Sequence, residues 1–348
     1  MENTVTIGMD LGDKNNHVCI LGYEGNVIES FQIPNSTNGI SAGLSKYPKG
    51  VVVIEAGTHS PWISRMLLEQ GYKVFIGNPR KLRLIWNNSN KYDGRDAEML
   101  ARIGRFDPSL LYPVQHRGEQ AQSDLAMIKA RDLLSQVRSK LINHIRSTVK
   151  SFGARIPTCS APSFHKNVEE HIPDILQEAL SPLQEQLKDI TQKIRDYERK
   201  IDEVSRERYP ETKCLQQIRG VGPITSLAYV LTLEEPTRFD KSRDVAPFLG
   251  LTPKRDQSGE TDKQLRITKA GNCYLRKLLV GCGQYILGPF GEECELRNFG
   301  QRISQRGGKI AKLRAVVAVA RKLAVLLHRL WITGEEYRPF YRQQTQAH

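Results

Sequence analysis

The sequence predicts a mixed α/β domain followed by a largely helical remainder, and three observations carry that expectation. Short alternating or wholly apolar runs, separated by turn signals, occupy residues 5–76. Residues 118–210 carry apolar side chains at three- and four-residue spacing. The last part, 213–348, reads as helical around a Gly-rich middle and holds nearly all of the excess positive charge.

In the first block Val5, Ile7 and Met9 alternate with polar residues, the pattern of a half-buried strand. Val18–Leu21 follows after a loop, and residues 26–32 supply a third strand, with Glu24-Gly25 as a hairpin turn signal. The run Val51-Val52-Val53-Ile54 is wholly apolar and suits a strand covered on both faces. Trp62–Gln70 has helical spacing with Gly71 as its stop, and Lys73–Ile76 is a further strand. Three antiparallel strands, a helix, a strand, a helix and a strand make an order that resembles ribonuclease-H-like domains.

In the second block Leu134, Val137, Leu141, Ile145, Val149 and Phe152 fall on one helical face. From Leu176 to Val204 apolar residues recur in alternating steps of four and three, a heptad seam with Glu, Lys and Arg between. Ser181-Pro182 within it reads as a point where the helix restarts under a serine cap. Such a seam fits a hairpin within one chain and an oligomerising coiled coil equally well. Residues 153–173, with Pro157, Pro162 and Pro173, read as irregular. In the third block Ala315–Trp331 is the strongest helix. The expected domains are 1–112, 113–210 and 211–348.

Composition narrows the function. The 348 residues include 51 Lys and Arg against 38 Asp and Glu, a formal charge of +13. The charge balances over residues 1–100, is +2 over 101–212 and is +11 over 213–348. A segregated excess of this size points to a polyanionic partner for the C-terminal third, nucleic acid first. The longest apolar candidate, Ala315–Leu327, is broken by Arg321 and Lys322 and is no membrane span. The N-terminus lacks a secretory pattern. The six cysteines include no CxxC pair, which argues against structural zinc and suits a reducing cytoplasm.

Four carboxylates stand out by position. Asp10 closes the first strand, Glu55 closes the apolar strand, and Asp93 and Asp96 open a helix running to Ile103. Positions i and i+3 share a helical face, so both aspartates can point at one spot. Acids at neighbouring strand ends plus a helical pair would gather hard oxygen ligands around Mg²⁺, which clamps phosphodiesters and activates an attacking oxygen. Singly, Asp93 and Asp96 also read as an ordinary helix cap and a first-turn charge. A second motif, Ile218-Arg219-Gly220-Val221-Gly222-Pro223, resembles a helix-hairpin-helix, whose glycines let backbone N–H groups approach phosphate. A third runs from Gly250-Leu251-Thr252-Pro253 through Ser258-Gly259 to Lys269-Ala270-Gly271-Asn272. There Lys254, Arg255, Arg266, Lys269 and Arg276 are candidate phosphate contacts around a loop serine. From chemistry alone a Ser-Gly pair in a polar loop is ordinarily a turn.

Taken together, these motifs resemble the DEDD transposases of IS110/IS1111 insertion sequences, over nearly the full length. The resemblance implies a RuvC-like N-terminal domain, a helical coiled-coil middle and a mostly helical C-terminal transposase domain with a helix-hairpin-helix. It makes Asp10, Glu55, Asp93 and Asp96 a Mg²⁺-binding catalytic set and Ser258 the nucleophile that joins DNA through a phosphoserine. It further implies a homo-oligomer, a tetramer, whose subunits complete one another's sites. It implies donor and target DNA paired by a noncoding bridge RNA, all in the bacterial cytoplasm. Two other readings stand beside it. One is a junction-resolvase type of metal-dependent nuclease that uses activated water, with Ser258 a bystander. The other is a non-catalytic nucleic-acid scaffold.

Overall fold

The computed structural model of the chain describes residues 5–82, 93–258 and 261–340; the side chains of Asp93, 255–258 and 261–264 lie outside that description. The chain forms two units, Met1–Gly118 and Glu119–His348.

The first unit is a five-stranded sheet in the order β3-β2-β1-β4-β5, built from β1 (Thr6–Leu11), β2 (Asn15–Leu21), β3 (Val27–Pro34), β4 (Val51–Glu55) and β5 (Lys73–Gly77). The three hairpin strands pair antiparallel, and β1, β4 and β5 run parallel. That is the expected ribonuclease-H-like order. Strand alternation sorts side chains to two faces. Val5, Ile7, Met9, Val52 and Ile54 pack with Ile40 and Leu44 of α1 (Thr37–Leu44) and Ile63 and Leu67 of α2 (Ser60–Glu69). The chain then passes through α3 (Pro79–Leu82) to α4 (Asp93–Phe106), which covers the opposite face over Cys19, Leu21 and Val53.

The second unit begins with two long helices, α5 (Glu119–Ser151) and α7 (Asp174–Arg208). Between them, residues 152–173 contain the one-turn α6 (Phe164–Asn167), whose Phe164 is buried with Ile145, Val149, Leu176 and Leu180. The two long helices pack antiparallel within the chain. Ile142 and Ile145 meet Leu176–Leu187 at one end. At the other, buried Asp124 accepts from Arg208 at 2.8 Å and from the Tyr209 hydroxyl at 2.9 Å. The heptad seam is therefore filled by the chain's own α5. The expected restart at Pro182 does not occur, because α7 continues through it. Proline there removes one backbone bond, to the carbonyl of Glu178, and both residues lie on the exposed side where water replaces it.

Next come α8 (Thr212–Leu215), α9 (Pro223–Leu233), α10 (Val245–Phe248), β6 (Pro253–Ser258), β7 (Thr261–Ile267), α11 (Cys273–Leu287), α12 (Glu295–Ser304) and α13 (Gly308–Thr333). Every residue from Thr225 to Leu233 is buried, so α9 is the central core helix, enclosed on all sides, with Thr225, Ser226 and Thr232 among its buried residues. The expected break at 210/211 does not divide the core. One cluster joins Leu125 and Ile128 of α5 and Ile201 of α7 to α9, α11 and α13. The stretch read as a polar loop around Ser258 is instead an antiparallel ribbon, β6 on β7, with Ser258 opposite Thr261. Its residues are mostly charged or polar, and only Leu265 and Ile267 alternate as an apolar pair, too short a stripe to announce the strands.

Candidate active site

The carboxylate site is set by how closely α4 lies on the sheet. Gly8 has no side chain, and a Cβ placed there would sit 1.9 Å from the Ala97 carbonyl oxygen and 2.7 Å from the Ala101 nitrogen. Gly104 meets Val53 in the same way, at 2.3 Å. Thr6, Gly8 and Asp10 share one face of β1, and Arg105 donates to the Thr6 hydroxyl at 3.4 Å. Helix and strand thus run in opposite directions, Arg105 beside Thr6 and Ala97–Ala101 beside Gly8. Two residues along β1 advance about 6.6 Å. Four residues back along α4, from Ala97 to Asp93, rise about 6 Å. Asp10 therefore lies level with the first turn of α4.

Glu55 joins it by register. β1 and β4 are parallel with Met9 beside Ile54, and Asp10 and Glu55 follow as the next residue of each strand. Glu55 shares its face with Val53, the face that α4 covers. Asp96 follows on α4, half-buried and one turn before Leu100, which packs on Val53. Asp93 occupies the first position of the helix, and its side chain lies outside the described residues. The backbone thus places the ends of β1 and β4 and the first turn of α4 at one end of one face of the sheet. Hard carboxylate oxygens gathered there would suit Mg²⁺ in their chemistry. Among the described residues, no three His, Cys, Asp or Glu side chains alone form a group able to hold a metal ion.

Neighbouring groups that sequence reading missed become visible through the register. His17 pairs with Asp10 across β1 and β2 and shares its face, with its Nε2 2.7 Å from the Gln32 amide nitrogen. His59, in the loop after Glu55, lies with Nε2 2.9 Å from Asp13, in the loop after Asp10. Strand partners are not readable from one strand's own pattern, so neither contact had a signal in the sequence. Burial pushes the Cys19 thiol, under α4, up to about 11, which keeps it protonated and removes it as a nucleophile.

The serine ribbon is fixed at its base. Gly250 and Gly271 both have positive φ, +67° and +69°. A Cβ on Gly250 would lie 2.3 Å from the Ala270 backbone, and one on Gly271 would lie 2.0 Å from the Phe248 carbonyl oxygen. Across this crossing Lys269 N donates to Gly250 O at 3.1 Å and Thr268 N to Thr252 O at 2.9 Å. Arg276 donates to the carbonyls of Leu249 and Ala270, at 2.9 and 2.7 Å, so its guanidinium holds the crossing. Asn272 caps α11, accepting from the N–H groups of Tyr274 and Leu275. Lys254, Arg266 and Lys269 are exposed around the ribbon. The side chains of Ser258 and Arg255 lie outside the described residues.

The Gly220–Gly222 turn links a single-turn helix, α8, to buried α9; Gly222 and Arg219 are exposed, whereas Val221 between the glycines is buried. Gly220 has φ +95°, and a Cβ there would lie 2.6 Å from the Tyr285 ring, so packing alone requires glycine. Beside the turn Arg219 pairs with Glu292, and a cavity of about 370 Å³ is lined by Gln217, Arg219, Glu292, Glu293, Glu336 and Tyr337 among others. Three carboxylates at its rim oppose a phosphate there.

Residues 7–153 match the model of the DEDD transposase of the IS110 type, and residues 212–288 match that of the transposase IS116/IS110/IS902 family. The transposase of insertion sequence IS1111A from Coxiella burnetii is 26% identical over 97% of this chain and 92% of its own length. That of IS1328 from Yersinia enterocolitica is 26% identical over 90% and 89%, and a probable family 20 transposase from Pseudomonas aeruginosa is 27% identical over 84% and 87%. The two family matches together take in more than half of the chain, one on the carboxylate face and the other on the serine ribbon's unit. The chain belongs to the IS110 family of transposases.

Proposed function

We propose that this transposase is a DNA recombinase in which Ser258 attacks a DNA phosphate and a carboxylate set of Asp10, Glu55, Asp93 and Asp96 serves the same reaction. The observation that carries the reading is the shared face on which the ends of β1 and β4 and the start of α4 meet. Mg²⁺, when bound by these acids, would neutralise charge that builds on the phosphate oxygens. The acids hold their places through the close seam of Gly8 on α4. Ser258 Oγ forms a bond to phosphorus as the bond to one deoxyribose oxygen breaks. The serine proton passes to solvent or a carboxylate, and the displaced oxygen takes one up as a free hydroxyl. The link stores the phosphodiester, and attack by a hydroxyl on a second strand reverses the step and frees the serine.

Lys254, Arg255, Arg266 and Lys269, on and beside the ribbon, are the phosphate contacts of this reading. The partners are donor and target DNA, with a structured bridge RNA choosing the site. A tetramer lets the acids of one subunit serve the serine of another, and the setting is the bacterial cytoplasm. The test is a denaturing gel after incubation with Mg²⁺, element RNA and matching DNA. A protein–DNA adduct that Ser258→Ala abolishes, with DNA binding retained, is the expected result. Asp10→Asn removes cleavage as well. Cut DNA without an adduct, equally abundant in Ser258→Ala, would instead establish water as the nucleophile.

A further inference from the structure

Between Glu295 and Glu335 the chain holds nine Lys and Arg and no acidic residue. This stretch forms α12, a tight turn at Gly307-Gly308 with φ of +90° and +74°, and α13. It lies C-terminal to both family matches, and none of the phosphate contacts considered above comes from it. Some of its cations are spoken for. Arg297 donates to the carbonyls of Ile286 and Gly288 and pairs with Glu293, Lys322 stacks over Phe299, and Arg329 pairs with Glu335. Arg302, Arg306, Lys309, Lys312, Arg314 and Arg321 are exposed, and among the described residues none has a carboxylate within ion-pair distance.

We propose that the α12–α13 hairpin is a second nucleic-acid surface, which grips the phosphate backbone of duplex DNA independently of the serine ribbon. The inference rests on the transposase reading for its partner and on charge complementarity for its place. A duplex carries one phosphate charge per roughly 1.7 Å of axis. The run from Lys309 to Arg321 extends about 18 Å along α13, so several phosphates fall within its reach.

The shape of the helix favours DNA over double-stranded RNA. In the first two turns of α13 the buried positions are Ala311 and Ala315, and nearly all others are exposed. Ile310 is 66% and Leu313 57% exposed, set among the cations. Exposed aliphatic side chains occur on other helices of the chain too, such as Leu133 and Ile175, but set among cations they suit a helix that enters a groove and lays them on sugars and base edges. The major groove of B-form DNA, about 12 Å wide, admits an α-helix. That of A-form RNA is too narrow and deep for one.

The experiment measures affinity for a labelled DNA duplex of arbitrary sequence against salt, with a structured RNA hairpin as the second arm. Replacing Arg302, Arg306, Lys309 and Lys312 by Gln should weaken duplex binding and flatten the slope of log K on log salt by about three to four, near 0.9 per lost phosphate contact. Arg329→Gln, which loses one charge already paired to Glu335, should leave the slope within about one unit of wild type. The melting temperature of each variant checks that it folds. A fourfold variant that melts like wild type but keeps the full DNA slope overturns the proposal, as does a loss confined to the RNA hairpin. Wild-type protein that binds duplex steeply yet never cleaves would overturn the recombinase reading and leave this surface standing.

Discussion

The carboxylate face of the first unit and the serine ribbon of the second solve positioning in opposite ways. Asp10 and Glu55 end neighbouring parallel strands of a mixed sheet with helices on both sides, and the approach of α4, which carries Asp93 and Asp96, is set by Gly8 against Ala97 and Ala101 and by Gly104 against Val53. The ribbon has two strands and is fastened by one crossing at Gly250 and Gly271. The first arrangement fixes strand ends and a helix start against one another, the kind of support that the proposed metal-assisted phosphate site would need. The second sets one residue at the end of a strand that projects from a clamp. One region is rigid by packing, the other by two glycines.

The largest way to break this contrast is Gly8→Val. Its side chain would enter the Ala97 carbonyl, so α4 must leave the sheet, at a cost of at least about 3 kcal/mol. Circular-dichroism melting should show the first unit destabilised or unfolded, with no strand cleavage. A variant melting like wild type would show that the seam does not place the acids. Gly271→Ala is the corresponding change in the ribbon, where positive φ and a clash with the Phe248 carbonyl together cost about 1–3 kcal/mol. Cleavage should fall steeply while the melting of an isotopically resolved first unit stays put. Equal loss in both units would erase the distinction between them.

The smallest effect is a pH response. His116 is partly buried, with Nε2 2.7 Å from the Ser60 hydroxyl. Burial, and then the charges of Arg65 and Arg117, hold its pKa below the ordinary 6.5. The unfolded chain therefore takes up this proton first as pH falls. The stabilisation is complete above pH 6.5 and declines below it, until the folded protein is protonated too. His116→Gln should flatten that acid limb of the stability curve, read by denaturant midpoints across pH. An unchanged limb would assign it to other groups.

The sequence was most legible where a face is apolar. Val5, Ile7 and Met9 and the run from Val51 to Ile54 announce β1 and β4, and the acids are found because they end those strands. Asp93 and Asp96 were visible through helical spacing alone. The β6–β7 ribbon had only the short alternation of Leu265 and Ile267, because Lys254, Asp256 and Lys263 break any longer apolar stripe. The heptads of α7 were plain, but a repeat describes a helix's own face and not its partner. That α5 fills it follows only from contacts such as Asp124 with Arg208. His17 and His59 were invisible for the same reason, since each reaches the acids' neighbourhood across strands or between loops.

The division of the chain at Gly118 also orders events during synthesis. All four carboxylates are translated by residue 96, and the first unit has its full length by residue 118. Ser258 is added 140 residues later. At about 5–20 residues per second that interval is of order ten seconds, far longer than a small domain takes to fold. On the proposed mechanism a nascent chain would thus carry a finished acid face before its nucleophile, and an interrupted message would yield a protein able to hold a phosphate but not to join one to itself.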